Sequence, residues 1–162
     1  MDGGEQRLEA VSFWLFSRAA EDQLTPSDSK KLAKWISLSR SSDDRGTLTP
    51  LDFEALPFVP ARAFFVTDVP VGAQRGGHAH RYDEQVLVCV SGRVEVELQF
   101  GKHREVVVCE PDGRALVVER RVWFKQTYRE PGTSLLVLSS QPYDPDSYIK
   151  DNDIVREANE RA

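Results

Sequence analysis

Two histidines one residue apart form the most chemically capable pair in this sequence. His78 and His80 flank Ala79, and in an extended strand residues two apart point to the same face. Imidazoles titrate near neutral pH, so a pair on one face can accept and donate protons. Gly76 and Gly77 precede the pair and allow the backbone to approach a ligand closely. The pattern indicates a paired-imidazole site.

An arginine stands directly before these glycines, and an apolar strand follows the histidines. Arg75 carries a planar cation with five donors, which suits phosphate or carboxylate groups. The apolar run from Val86 to Val90 ends at Ser91 and Gly92, which is a hairpin signal. We therefore expect the histidines at the mouth of an antiparallel β-structure.

The composition limits the class of protein. The chain has 162 residues and a formal net charge of −5, which suits one domain with a small appendage. Because it has no basic block, nucleic-acid binding is not expected. Cys89 and Cys109 lie in apolar, strand-like runs, which favours buried thiols in a reducing compartment over a disulfide. No secretory segment or membrane-spanning run is found, so we expect a cytoplasmic protein with no membrane contact.

Residues 5 to 40 have the periodicity of helices. Thr25 and Pro26 predict a helix start, as N-cap and first helical residue. The apolar positions at helical spacing are Leu8, Val11, Leu15, Leu32, Trp35 and Ile36. The prediction is an N-terminal helical hairpin that packs on the body of the domain or, alternatively, docks a partner.

The periodicity changes to two after this segment. Strands are predicted over residues 63–69, 86–90, 93–100, 104–110, 115–119, 121–127 and 134–139. Many short strands with turns between them indicate a sandwich or barrel. The predicted organisation is a helical extension over 1–39, an all-β domain over 40–147 and a charged tail, with a short surface helix, over 148–162.

Six segments together resemble a known family. They are residues 43–48, 75–80, 84–92, 122–123, 136–140 and 143–149. In this order they are similar to the sugar-nucleotide 3,4-ketoisomerases, the FdtA, QdtA and WxcM-like cupins related to the dTDP-4-keto-6-deoxyhexose 3,5-epimerases. The resemblance covers about residues 40 to 151.

The resemblance implies a fold and an activity. The fold would be a cupin, an antiparallel jelly-roll β-sandwich, and the assembly a homodimer. The activity would move the keto group of a dTDP-linked 4-keto-6-deoxyhexose from C4 to C3 through an enediol, without a cofactor. Such an isomerase serves deoxysugar biosynthesis for lipopolysaccharide or antibiotic glycosylation. His78 and His80 would be the acid/base pair, with His80 as the base that abstracts the sugar proton.

The resemblance also implies a substrate pocket. The residues expected to bind the substrate are Arg45, Arg75, Gln85 and Trp123, with the arginines on the diphosphate or sugar oxygens. The chain departs from the family at Phe64 and Phe65, where members often carry tyrosine, and at Phe124, where many have a polar residue. Tyr82 and Tyr128 are candidate substitutes for the missing phenol.

Two other functions compete with this one. Loss of the family tyrosine favours a non-catalytic cupin that binds a sugar nucleotide and regulates or docks through its N-terminal helices. A metal-dependent cupin would need a carboxylate after His80 and a third histidine one hairpin later. Gln85 takes the carboxylate position best spaced from Gly92, residues 111–128 contain no histidine, and His103 lies in a turn. We therefore expect no metal.

Overall fold

The computed structural model describes residues 31–150, and this part of the chain consists almost entirely of β-strands. The strands are β1 (Lys34–Ser37), β2 (Ser41–Asp43), β3 (Gly46–Leu48), β4 (Arg62–Val66), β5 (Gln74–His80), β6 (Gln85–Ser91), β7 (Val94–Phe100), β8 (His103–Cys109), β9 (Arg114–Val118), β10 (Trp123–Tyr128), β11 (Ser134–Ser139) and β12 (Tyr148–Ile149). Short 3-10 helices occupy Phe53–Ala55 and Pro145–Ser147.

Two five-stranded sheets carry the fold. The first sheet has the order β1-β9-β6-β11-β4 and the second sheet the order β12-β5-β10-β7-β8, while β2 and β3 form a separate hairpin. All strand pairs in both sheets are antiparallel. This confirms the predicted all-β antiparallel sandwich of the cupin, or jelly-roll, type.

The core lies between the inner faces of the two sheets. Along β7, Val94, Val96 and Leu98 are fully buried, whereas the intervening Glu95 and Glu97 are only half-buried. This is the alternation expected of a strand with one wet face. Each large aliphatic side chain so buried contributes about 1.5–3 kcal/mol of transfer free energy. The sheets are therefore held by an ordinary hydrophobic core.

One predicted helix is corrected by the structure. Lys34–Ser37 forms β1, which pairs with β9 at the edge of the first sheet, so Trp35 and Ile36 do not belong to a helix. Trp35 packs against the core and Ile36 against a second apolar cluster, on opposite faces of the strand. Bulky and β-branched side chains suit this pleated, half-buried position. The rest of the expected hairpin and the expected tail helix lie outside the described residues and remain predictions.

Both cysteines are buried thiols. Cys89 lies on β6 and Cys109 at the end of β8, and neither is in a disulfide. Burial raises the pKa of Cys89 to about 11 and that of Cys109 to about 12. Thiols held protonated in this way are unreactive packing groups.

A bulge in β5 changes the face that its residues present. His78 pairs with Phe124 on β10, but Gly76 pairs with the next residue, Lys125, so Gly77 is extra in the register. Gly76 and Gly77 have φ of 80° and 78°, a conformation that favours glycine. Beyond the bulge, Arg75 pairs with Gln126, which shares the inner face of β10 with Phe124. The bulge therefore brings Arg75 to the side of the sheet that carries His78.

The two glycines offer a matched test of this bulge. A Cβ on Gly76 would lie 2.8 Å from the carbonyl oxygen of Phe124, whereas one on Gly77 would meet nothing within 4 Å. We expect Gly76→Ala to lower the free energy of unfolding by roughly 2–3 kcal/mol, from strain plus contact, and Gly77→Ala by about 1 kcal/mol. Urea denaturation of both variants measures the difference. Equal losses would show that backbone strain alone decides the effect.

Candidate active site

Two imidazole rings meet near the end of β5, as the alternation along the strand predicts. The ring centroids of His78 and His80 are 4.9 Å apart and the rings are perpendicular, at 89°. Phe124 lies beside them, and its ring centroid is 5.7 Å from that of His78 and 6.5 Å from that of His80. His78 is half-buried, whereas His80 is only 5% exposed. The pair therefore has an inner member and an outer member.

Both ring nitrogens of His80 have polar partners. Nδ1 lies 3.5 Å from Oγ of Ser147, and Nε2 lies 3.2 Å from Nε2 of Gln85. Burial, reinforced by the neighbouring His78, lowers the pKa of His80 from its ordinary 6.5 to about 4, although the Asp83 carboxylate opposes this shift. His80 is therefore a neutral imidazole near pH 7.

A buried carboxylate stands behind Gln85. Oδ2 of Asp83 accepts hydrogen bonds from Nε2 of Gln85 at 3.0 Å and from Oγ of Ser139 at 2.5 Å. Oδ1 accepts from Oγ of Ser140 at 3.0 Å and from the backbone N–H of Gln141 at 3.1 Å. Gln85 was expected to contact substrate, but its amide instead bridges Asp83 and His80. No pattern in the sequence distinguished Asp83 from a loop residue.

A tyrosine from the far end of the described chain completes the group. Tyr148 pairs with His80 across β12 and β5, and its ring centroid lies 4.5 Å from that of His78 and 4.6 Å from that of His80. Burial raises the pKa of its hydroxyl. Tyr148 therefore places a phenol beside the histidines, whereas the candidates from the sequence were Tyr82 and Tyr128. The signal was present, since residues 143–149 matched the family tail, but it carried no role.

Arg62, at the start of β4, is a cation whose charge acts on both His80 and Tyr148. Its guanidinium carbon lies 4.8 Å from the ring centroid of Phe64 and 5.4 Å from that of Tyr143. A hydrogen bond from Arg62 and its charge both oppose the raised pKa of Tyr148. Its Nε is buried and has no hydrogen-bond partner in the described part of the chain. Arg62 therefore places a positive charge beside Tyr148.

Arg75 lies further along the same inner face. The bulge places it opposite Gln126, and it is exposed. Burial raises the pKa of the Tyr128 phenol to about 12, and the nearby charge of Arg75 opposes this shift. Tyr128 is fully buried and donates to Oε1 of Gln126 at 3.2 Å. Arg75 thus lies on the same face of the sheet as His78 and opposite Gln126.

Arg45 does not join the histidines in this structure. It lies in the turn between β2 and β3, where its side chain is 86% exposed and ion-paired with Asp43. Thr47 of the same hairpin lines a cavity of about 350 Å³ together with Val88 and Leu136. These two residues pack, like Ile36, in the second apolar cluster, on the outer face of the first sheet. The hairpin therefore lies beside the opposite sheet from His78.

Trp123 is also outside the histidine cluster. Phe124 faces the core, so the preceding Trp123 faces the other side of β10. There it packs with Ala79 and Ile149 and is only 7% exposed. Strand alternation therefore turns the ring of Trp123 away from the face that carries His78, and the expected wall for the substrate stays a prediction.

The lowered pKa of His80 predicts an acid-sensitive fold. Between pH 4 and 6.5 the unfolded chain binds a proton at this position that the native chain does not, so stability falls as pH falls through this window. We expect His80 to account for a loss on the order of 2–3 kcal/mol. Denaturation at several pH values should show a flatter slope for His80→Asn than for the wild type. Parallel slopes would contradict the burial argument.

Over residues 31–150, no group of three or more His, Cys, Asp or Glu side chains is arranged to hold a metal ion. In that range no helix is long and apolar enough to cross a membrane.

Comparison with known proteins identifies relatives of this chain. Residues 31–159 match the family FdtA, described as WxcM-like, C-terminal. The TDP-4-oxo-6-deoxy-alpha-D-glucose-3,4-oxoisomerase of Aneurinibacillus thermoaerophilus is 31% identical over 121 residues, which cover 74% of this chain and 87% of that protein.

Solved structures agree in fold. QdtA, a sugar 3,4-ketoisomerase from Thermoanaerobacterium thermosaccharolyticum solved in complex with TDP, has a TM-score of 0.75 and 30% identity over 80% of this chain and 96% of that chain. WlaRB, a TDP-quinovose 3,4-ketoisomerase from Campylobacter jejuni, has a TM-score of 0.71 and 32% identity over 78% of this chain and 98% of its own.

Proposed function

The chain belongs to the FdtA family of WxcM-like proteins, and from this premise we propose that it is a sugar-nucleotide 3,4-ketoisomerase. Its substrate is a dTDP-linked 4-keto-6-deoxyhexose, whose keto group it moves between C4 and C3 in deoxysugar biosynthesis. The observation that carries the proposal is the convergence of His78, His80 and Tyr148, with ring centroids 4.5–4.9 Å apart. The named activities of the relatives at about 30% identity support it.

His78 is the general base in this proposal. His80 was the sequence-based choice, but it is almost fully buried and both its ring nitrogens lie against protein partners. A base must come within hydrogen-bond reach of the proton it abstracts. His78 lies beside it on the more accessible side. The geometry therefore favours an exchange of the two expected roles.

The proton transfers balance with two groups. His78 takes the proton from C3, the C3–H electron pair forms the C3=C4 bond, and O4 gains the carbonyl electrons. The Tyr148 hydroxyl donates a proton to O4 and so gives the enediol. In the second half, O3–H returns a proton to Tyr148, C3 becomes the carbonyl carbon, and His78 delivers its proton to C4. No electron acceptor is consumed, since one carbon is oxidised as the other is reduced.

Arginine side chains hold the anionic part of the substrate. Arg62 has a buried N–H without a partner in the described chain, beside Tyr148. Arg75 is exposed on the same inner face as His78. Guanidinium groups suit diphosphate and sugar oxygens. We assign Arg62 to the sugar end and Arg75 to the diphosphate end.

Hydrogen exchange tests the function directly. The protein is incubated with dTDP-4-keto-6-deoxyglucose in deuterated water and followed by proton NMR, with a sample lacking protein as the control. Loss of the C3 hydrogen signal and formation of a 3-keto isomer are expected. Binding of TDP without any exchange would overturn the enzyme reading.

That second outcome would support a non-catalytic sugar-nucleotide-binding protein. The observation that favours this alternative is the apolar lining of the site, where Phe64 packs with the core beneath Arg62 and Phe124 lies beside both imidazoles. Neither ring can exchange a proton. The exchange experiment therefore separates the two functions.

We further propose that the protein is a homodimer joined through the outer face of the first sheet. Large apolar side chains are exposed on or beside that face, namely Leu48, Phe53, Val59, Phe65 and Val90. Apolar groups gathered on one face are typical of interaction surfaces. We expect a dimer in light scattering at micromolar concentration.

The substitution Phe65→Asp should shift the protein to monomer. Val106→Asp, at an exposed apolar position on β8 of the second sheet, is the matched control and should leave the dimer intact. A wild-type monomer would refute the assembly, and a shift caused by Val106→Asp alone would place the interface on the other sheet.

A further inference from the structure

Asp83 is a buried carboxylate that the proposed reaction does not use directly. It is about as buried as His80, and its four hydrogen-bond donors are all neutral groups, from Gln85, Ser139, Ser140 and Gln141. Burying a carboxylate is costly unless its oxygens are fully hydrogen-bonded, which they are here. The role of this buried charge follows from the groups that it contacts.

The carboxylate determines which end of the Gln85 amide faces inward. An ionised carboxylate only accepts hydrogen bonds, so the group of Gln85 that meets Asp83 must be the NH2 group and not the carbonyl. The same Nε2 lies 3.0 Å from Asp83 and 3.2 Å from Nε2 of His80. One amide hydrogen therefore points to each of the two partners.

The direction of these bonds continues through the histidine. Because Gln85 donates to it, Nε2 of His80 must be an acceptor, and the ring proton must be on Nδ1. Nδ1 faces Oγ of Ser147, whose own hydroxyl donates to the carbonyl oxygen of Asp144 at 2.8 Å. Ser147 therefore presents lone pairs to Nδ1–H. Every N–H or O–H group in the chain of hydrogen bonds between Asp83 and Asp144 therefore has an acceptor.

We propose that Asp83 is a positioning residue that, through the Gln85 amide, keeps His80 in its neutral tautomer with the proton on Nδ1. Protonation of Nε2 would set two donors against each other, so the chain of hydrogen bonds resists formation of an imidazolium. The consequence for catalysis rests on the proposed function. A neutral His80 places no second positive charge beside His78, which then stays able to accept the substrate proton.

The charged and titratable groups around His80 agree with this assignment. His78 on the same strand and Arg62 on β4 both disfavour a positive charge on the ring, Asp83 favours it, and Tyr148 on β12 is held neutral by burial. If the Gln85 amide turned over, its carbonyl would accept from Nε2–H, and the other tautomer or the imidazolium would be admitted. The orientation of one amide thus decides the state of the ring.

Asp83→Asn tests the proposal without a change of shape. The backbone N–H of Gln141 cannot rotate, so the new carbonyl oxygen must take the Oδ1 position and the new NH2 group the Oδ2 position. That NH2 group faces Gln85, whose amide must turn over and present its carbonyl to both neighbours. We expect His80 to change from the Nδ1–H to the Nε2–H tautomer. Ser139→Ala, which removes one donor but keeps the Asp83–Gln85 bond, should leave the tautomer unchanged.

Long-range proton–nitrogen NMR on protein with labelled histidine reads the tautomer at pH 7, independently of any activity. Wild type and Ser139→Ala should show Nδ1–H, and Asp83→Asn should show Nε2–H with kcat reduced about tenfold and KM nearly unchanged. Persistence of Nδ1–H in Asp83→Asn would overturn the proposal. If that variant does not fold, an Nε2–H or imidazolium ring in the wild type would equally refute it. A tautomer change in a protein that never exchanges substrate hydrogen would retain the positioning role and refute only the enzyme function.

Discussion

Replacing His78 with asparagine should lower kcat at least a hundredfold and leave the affinity for TDP nearly unchanged. Asparagine keeps much of the side chain's size and hydrogen-bonding capacity but has no basicity near neutral pH. General base catalysis is worth roughly 10²–10⁴-fold, so its loss should appear in the chemical step and not in binding. NMR-monitored turnover measures kcat, and calorimetry measures TDP binding. His103→Asn is the matched control, since His103 is exposed at the start of β8.

The same experiment on the second histidine separates the two role assignments. If His80 were the base, His80→Asn would abolish hydrogen exchange while His78→Asn kept activity within tenfold. If His78 is the base, His80→Asn alters the surroundings of His78, but slow exchange at C3 remains detectable. The ranking of the two variants is therefore the decisive measurement.

Tyr148→Phe should reduce kcat about a hundredfold, because O4 then loses the group that donates its proton. The ring and its contacts with both imidazoles are kept, so TDP affinity should change little. Exchange of the C3 hydrogen should slow along with product formation, since charge at O4 develops as the proton leaves C3. Both rates can be read from the same NMR series.

Tyr82→Phe is the control for this prediction. Tyr82 is exposed in the loop after β5 and makes none of the ring contacts that Tyr148 makes with the histidines. Its variant should keep wild-type rates. If Tyr82→Phe lost activity and Tyr148→Phe kept it, the phenol of the reaction would come from the position first considered in the sequence.

The sandwich and the histidine pair could be predicted from the sequence because both depend on local periodicity. Residues 94–100 alternate between valine or leucine and polar groups, and the strand follows directly. His78 and His80 share a face for the same reason. Alternation is a property of each strand alone, so it needs no knowledge of the neighbouring strands.

The composition of the pocket depended on pairings between distant strands. The bulge at Gly76 and Gly77 shifts the register by one residue, and only then does Arg75 share a face with His78. Trp123 was assigned to the site by motif, but its side of β10 follows from Phe124, which faces the core. A motif identifies a residue, whereas the register decides which face it occupies.

Two further residues were missed because their partners are remote in sequence. Tyr148 reaches the histidines through a strand pair, and Asp83 acquires its role through Ser139, Ser140 and Gln141 on and after β11. At Lys34–Ser37, a run of four residues is too short for a helical or strand period to be distinguished. In each case the deciding interaction lies outside any local window.

The pairing of β12 with β5 also has a kinetic consequence. Ser147 and His80, which meet at this pair, are separated by 67 residues, and β12 contributes only two residues to the sheet. Closing so long a loop costs conformational entropy, and a two-residue strand gains few contacts in return. We therefore expect β12 to pair late in folding. During refolding, the far-ultraviolet circular dichroism of the sheets should therefore recover before activity does. β12, at the edge of the second sheet, should also open first in hydrogen exchange. Tyr148 would then separate from the histidines well before the sandwich unfolds.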